Sequence, residues 1–286
     1  MKNALAWSIR RELWEHRAIY VGPLVVAGLA LLGFLASLSG LSDLAAQLAA
    51  MPEGQRAFFI ATPFSLSAAA ILFTGFLVAF VYCLDALHGE RRDRSILFWK
   101  SMPVSDLETV AAKYIVPMTV QPLAALAVAI ASHLVMILAA TLVAALRGVD
   151  AGVLWGAVSW WQLEVGLLYG VVVHALWFAP IYAYLLAVSA WAKRGAFLWA
   201  AGPVFAIVFV ERLAFGTSRF AGLVKYRFSG AMTEAFAAQT QDGPVTQLSQ
   251  LDPVHFLSTP GLWLGFVAAA VFLAAAVRLR RYREPL

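Results

Sequence analysis

Charge is scarce in this chain. Of its 286 residues only 13% are Asp, Glu, Lys or Arg, against 62% hydrophobic. A soluble domain carries about 25% charged residues. The apolar surplus must therefore face something other than water, and lipid is the economical answer. Cysteine is scarcer still. Cys83 stands alone, which excludes an intrachain disulfide and a multi-cysteine metal site. No Gly-Lys pair occurs anywhere, so the chain holds no G-x-x-x-x-G-K-[ST] loop to cradle a nucleotide's phosphates. The five histidines include no H-x-x-x-H or H-E-x-x-H spacing, and no metal ligand set is expected. No serine–histidine or cysteine–histidine spacing points to a protease within the membrane, and no catalytic residue is assigned. Acids are nearly missing from the apolar runs; Glu164 and Glu211 sit at their edges, a poor basis for a buried proton relay.

What is present is six apolar runs, Ala18–Leu38, Pro63–Leu84, Tyr114–Leu138, Gly166–Ala190, Ala196–Leu213 and Gly261–Val277. Each reaches or approaches the roughly 20 residues that cross a bilayer core. The first is longer than the roughly 7–15 residues of a signal-peptide core, and reads as an uncleaved membrane helix. The third could extend either way, because apolar sequence continues from Ala111 to Leu146; Pro117 and Pro122 predict a kink near its start. The fold class expected is an all-α membrane protein of six transmembrane helices in one domain. His133 and His174 each lie alone within a run. An interhelix hydrogen bond is the expectation for both, with a contact to transported material as the minor reading. Gly166 and Gly170 fit G-x-x-x-G, which permits close helix packing but recurs by chance in apolar sequence.

The net charge of +5 reads as membrane orientation rather than nucleic-acid binding, because the basic residues cluster beside the spans. Lys2, Arg10, Arg11 and Arg17 precede span one. Arg91, Arg92, Arg94, Lys100 and Lys113 lie between spans two and three, Lys193 and Arg194 between four and five, and Arg278, Arg280, Arg281 and Arg283 follow span six. The opposite side's shorter connections have only Arg56 and Arg147. Both termini are therefore expected in the cytoplasm. Residues 1–17 read as an interfacial helix, with Leu5, Ile9 and Leu13 on one face, Trp7 and Trp14 beside it, and Arg10, Arg11, Glu12 and Glu15 pointing elsewhere. The extracytoplasmic loop, 212–260, contains Phe220, Leu223, Val224 and Phe228 at helical spacing, which suggests a short amphipathic or re-entrant helix.

The most charged stretch between spans is GERRDRSILFWKSMPVSDLETVAAK, Gly89–Lys113, within the cytoplasmic loop 85–113. Ser105 and Glu108 match the S-x-x-E capping box, and Pro103 discourages a continuous helix before it. A helix should therefore begin near Asp106 and run into span three, with a turn over Ser101–Val104. The block Ile96-Leu97-Phe98-Trp99 cannot sit on one narrow helix face. It either lies against lipid headgroups and neighbouring spans, or docks in part into a partner's groove with the charges as a rim.

The interfacial helix, the six spans and the ERRDRSILFWKSMPVSDLETVAAK loop together resemble the membrane subunit of ABC-2-type ATP-binding-cassette transporters. The approach to span six, LDPVHFLSTPGLWLG, is similar to bacterial members. The resemblance covers essentially the whole chain. It implies a permease that itself catalyses nothing, exports more often than it imports, and sits in a bacterial inner membrane. It implies a coupling helix between spans two and three, carried by Arg91, Arg92, Arg94, Ile96, Leu97, Phe98 and Trp99. The partners implied are two separate ATPase subunits, which hold the ATP and Mg, and a second permease subunit, expected to be identical. An ATP-independent membrane protein, either a secondary carrier or an intramembrane scaffold, is the alternative; a carrier should show inverted repeats or ionisable groups at the bilayer midplane.

Overall fold

The computed structural model describes residues 4–237 and 244–283; Lys2, among the orientation residues, lies outside them, as does part of the 212–260 loop. The described chain is almost entirely helical. In order it forms α1 (Ala4–Glu15), α2 (Ala18–Ser37), α3 (Leu41–Ala50), α4 (Glu53–Asp85), α5 (His88–Arg92), α6 (Ser95–Ser101), α7 (Asp106–Ile115), α8 (Gln121–Leu146), α9 (Gly152–Gly156), α10 (Trp160–Trp191), α11 (Ala196–Phe215), α12 (Arg219–Ala235), α13 (Pro253–Ser258) and α14 (Pro260–Tyr282). Among the described residues six stretches are long and apolar enough to cross a membrane: Ala18–Gly40, Gly54–Arg92, Asp106–Leu146, Trp160–Trp191, Ala196–Phe215 and Pro260–Tyr282. This is the architecture of a multi-pass membrane protein.

Several of these helices overrun the apolar runs that mark them in sequence. The second stretch begins at Gly54 rather than Pro63, and the third spans 41 residues, about 60 Å at 1.5 Å per residue. A hydrocarbon core is only about 30 Å thick. Hydropathy reports the part of a helix that meets lipid, whereas the helix ends where its backbone hydrogen bonds end. At the start of α4 the protruding turn has a purpose: Arg56 donates to the carbonyls of Leu48 (3.0 Å) and Met51 (3.2 Å), closing the end of α3. Between α7 and α8 the two prolines produce a π-helical turn, Val116–Val120, because Pro117 and Pro122 have no N–H to continue the regular ladder.

The bundle is organised on α10, whose inward surface includes Trp177, Tyr182, Leu185 and Leu186, all fully buried. It packs against α14 along most of its length and against α4, α8 and α12; α2 leans on α4 and α8, and α11 stands at the periphery. Leu24, Leu29 and Leu32 of α2 and Phe205, Phe209 and Leu213 of α11 are exposed, as helices bathed in lipid should be.

The 212–260 loop contains the helix that its apolar spacing suggested, α12, and the surroundings of that helix and of the Gly166–Gly170 pair are specific. The face of α12 that packs on the bundle is Gly230, Ala231 and Ala235, while Leu223 and Phe228 stay exposed. The reason is Trp177. Its indole N–H donates to the Arg227 carbonyl (2.8 Å) and its ring lies 4.7 Å beneath the Arg227 guanidinium, so polar anchoring sets the helix's rotation. The Gly166–Gly170 pair packs within its own chain. A side chain at Gly166 would meet Val245 at 2.9 Å, and Gly170 faces the Phe236 ring. That glycine face is covered by Phe236 and Val245.

Candidate coupling surface and its buried charge cluster

The loop between spans two and three folds into three short pieces tied to the bundle at both ends. α5 is fastened to the end of α10. The backbone amides of Leu87 and His88 donate to Ser189 Oγ at 3.0 and 2.9 Å. Arg91, buried, donates through Nη1 to the carbonyls of Ala190 (2.8 Å) and Ala192 (3.1 Å). These carbonyls close α10, where a helix leaves acceptors without partners and favours a cation. Arg91 is thus a clamp within its own chain. Arg92 pairs at its surface with Asp85 (3.6 Å). Arg94 is exposed and takes the left-handed conformation, φ 63°, an unusual strain for a long side chain. It makes the corner between α5 and α6.

The block Ile96–Trp99 divides by face on α6. Ile96 is buried at 2% exposure, Trp99 is half-buried, and Leu97 and Phe98 project outward at 59% and 58%. Met102 and Leu107 extend this apolar exposure past the turn. At the start of α7 the Ser105 hydroxyl accepts from the Glu108 amide (3.1 Å) and the Glu108 carboxylate accepts from the Ser105 amide (2.9 Å). This cap positions Asp106 and then Lys113.

Behind α6 lies a cluster of six charges. Lys113 of α7, 1% exposed, donates to Glu12 of α1 (2.9 Å) and Glu90 of α5 (3.1 Å). Arg11 bridges the same two carboxylates at 2.6 and 3.4 Å. Arg280 of α14 reaches Glu90 (3.3 Å) and also pairs with Asp106. The second oxygen of Glu12 accepts from the Tyr82 hydroxyl of α4 (2.9 Å). Three acids, Glu12, Glu90 and Asp106, balance three bases, Arg11, Lys113 and Arg280. Arg11 also lies 3.9 Å over the Trp99 ring, joining α6 to the same array. Burial alone would push the Glu12 carboxyl up, but Lys113 and then Arg11 outweigh it and hold it down at about 2. Glu12, Glu15 and His16 bring three metal-ligating atoms within 4.8 Å of one another, yet both oxygens of Glu12 are committed to Lys113 and Tyr82.

Sequence reasoning missed this cluster and placed Glu12 among residues pointing away from the apolar face. Glu12 is fully buried. Its spacing was the available signal, because it lies three residues after Ile9 and directly before Leu13, on the face of α1 that packs on the bundle. The geometry ties α1, α4, α5, α6, α7 and α14 together.

A pH prediction follows from Glu12. Its folded value lies below the usual carboxylate value of about 4.3, so its stabilisation is fully present above that value and lost as pH falls toward about 2. A spin label on Trp7→Cys should report the same restricted α1 from pH 8 to pH 5, with loosening only in stronger acid. A transition centred near pH 6 would contradict the assignment.

Among the histidines, His133 is buried between helices. Nε2 donates to the Phe64 carbonyl (2.9 Å) and Nδ1 meets Glu164 (2.6 Å). His174 binds the Tyr182 hydroxyl through Nε2 (2.8 Å), on its own helix, and stacks on Phe178 with centroids 4.5 Å apart. Both histidines line a partly open cavity of about 540 Å³ between α4, α8, α10 and α12. The loop residues lie at the other end of the bundle and do not contribute to it.

No family model matches this chain, and neither a curated protein nor a solved structure matches it. The reading of the site therefore rests on its geometry.

Proposed function

We propose that this chain is the permease subunit of an ABC-2-type exporter, paired with a second, identical copy and driven by two separate ATPase subunits. One observation carries the proposal: the apolar pair Leu97–Phe98 is presented outward on a short helix whose inner side, with Ile96 buried, is braced through Trp99 and a cluster of six charges, four of them buried, to α1, α7 and α14. Exposed apolar residues on a rigid, charge-rimmed helix fit a groove on a partner protein. The brace gives that partner a lever. When ATP draws the ATPases together, displacement of α6 moves the cluster, and with it the ends of α8 and α14, as one piece. The missing phosphate-binding loop supports assigning ATP and Mg to the partner. The His133–Glu164 pair favours a second reading, a proton-coupled carrier, because ionisable pairs within membranes often mark proton paths. Glu164 lies only four residues into α10, near the end of the helix rather than its middle, which weighs against it.

The test is nucleotide hydrolysis. The purified chain alone should hydrolyse no ATP and should recover hydrolysis when combined with an ATPase subunit co-purified from native membranes. Hydrolysis by the chain alone, or transport driven by a proton gradient without ATP, would overturn the proposal. A topology prediction accompanies it. A reporter active only in the cytoplasm should work when fused after Arg194 and fail after Gln241, with an export-dependent reporter doing the reverse. Equal responses at both positions would refute the six-span orientation.

A further inference from the structure

The polar group that the coupling surface leaves unexplained is Gln121. It opens α8 directly after the π-helical turn and is 3% exposed. Its side-chain amide makes no hydrogen bond to any described residue, although a buried amide normally finds one. The amide lies where a side chain at Gly75 would stand: a Cβ there would come within 2.4 Å of Gln121 Nε2. Gly75 thus makes the room that lets this amide reach the cavity wall.

The rest of that cavity has a consistent chemistry. Its volume, about 540 Å³, falls in the range that holds a drug-sized ligand. Leu72, Phe73, Phe76, Phe178, Phe228 and Met232 make most of its wall apolar. His133 has both ring nitrogens occupied, and its carboxylate partner leaves no unpaired cation there. His174 has its Nε2 committed to Tyr182 and its Nδ1 without a partner among the described residues. A primary amide both donates and accepts, and an imidazole nitrogen does one or the other according to its tautomer. A hydroxyl satisfies either. A charged head group would find no unpaired counter-charge among the described lining residues, which a buried charge requires.

We propose that this cavity is a ligand site within a single chain for an uncharged, hydroxyl-bearing amphiphile, with Gln121 receiving the hydroxyl and the phenylalanines receiving the hydrocarbon. The proposal goes beyond the permease reading and does not depend on it, since the site needs neither the ATPase nor a second copy.

The test uses the full chain in lipid nanodiscs and a monoacylglycerol carrying a diazirine in its acyl chain. Photolabelling should be saturable, should be displaced by unlabelled monoacylglycerol, and should map to peptides bearing Phe73, Phe228 or Met232. Gln121→Leu keeps the volume and removes the amide, and should weaken labelling roughly tenfold, the scale of one or two lost hydrogen bonds. Gly75→Ala, which displaces the amide, should do the same. Ala69→Phe, from an exposed position on the wall, should block labelling by occupancy. The matching fatty acid and acyl-trimethylammonium probes should label at least tenfold less. Three results would overturn the proposal: unsaturable labelling spread over lipid-facing positions such as Leu29 and Val267, charged probes labelling as well as the neutral one, or folded Gln121→Leu labelling like the unmodified chain. If the variants fail to fold, displacement and probe charge on the unmodified chain still decide it. Loss of ATPase association with labelling intact would count against the permease reading alone.

Discussion

Lys113→Met is expected to destabilise the bundle by about 3–5 kcal/mol, the usual cost of removing one partner from a buried ion pair. Lys113 is enclosed at 1% exposure and is shared by Glu12 and Glu90. Methionine fills similar volume, so the loss is electrostatic: the cluster is left with Glu12, Glu90 and Asp106 against only Arg11 and Arg280. Glu12 keeps Arg11 and the Tyr82 hydroxyl, which moderates the penalty without restoring neutrality. The double variant Glu12→Met with Lys113→Met leaves two acids and two bases. It should recover most of the loss, since buried pairs replaced together by apolar groups are often close to neutral. The measurement is a double-mutant cycle on unfolding of the detergent-solubilised chain, with coupling between the two positions well above the roughly 0.5 kcal/mol noise of additivity. Equal midpoints for Lys113→Met and the unmodified chain would show that the cluster bears no load. The spin label on α1 adds a second readout, because a rigid brace predicts that breaking Lys113 also frees a helix about 100 positions away in sequence.

How much of this was legible beforehand depended on whether the signal was local. The six spans, the capping box at Ser105 and Glu108 and the turn before it involve neighbours in sequence, and hydropathy or spacing exposes them. The roles of charged side chains were not legible. Arg91 and Arg92 are adjacent and alike in sequence, yet one closes the end of α10 from a buried position and the other pairs at the surface. Only the distance from α5 to residues 189–192 separates them. Glu12, Glu90, Lys113 and Arg280 are spread over most of the chain, and nothing local announces that they meet. The same holds for His133, which looked solitary because Glu164 lies on another helix. It holds too for Gln121, whose lack of a hydrogen-bond partner among the described residues shows only once the neighbouring helices are in place.

Phe98→Ala should abolish ATPase association while leaving the chain folded and inserted. Truncating a docked aromatic anchor costs about 2–4 kcal/mol, roughly a 30- to 1000-fold loss of affinity. Leu97→Ala should weaken association in the same direction by less, since leucine is rarely a dominant anchor. Both side chains are more than half exposed, so their removal opens no cavity in this chain, and a binding defect cannot be assigned to misfolding. Trp99→Ala is a different experiment. Trp99 carries the Arg11 guanidinium at 3.9 Å, a contact worth about 0.5–2 kcal/mol, and Arg11 belongs to the buried cluster. Its loss should lower the unfolding midpoint as well as weaken association, whereas Phe98→Ala should lower association alone. Phe220→Ala, at the opposite end of the bundle, should change neither. The readouts are co-purification of the ATPase with tagged variants and ATP-dependent transport in vesicles. Normal ATPase binding and normal transport by both Leu97→Ala and Phe98→Ala would mean that this apolar pair meets lipid headgroups instead, and the assignment of α6 as the coupling helix would be wrong.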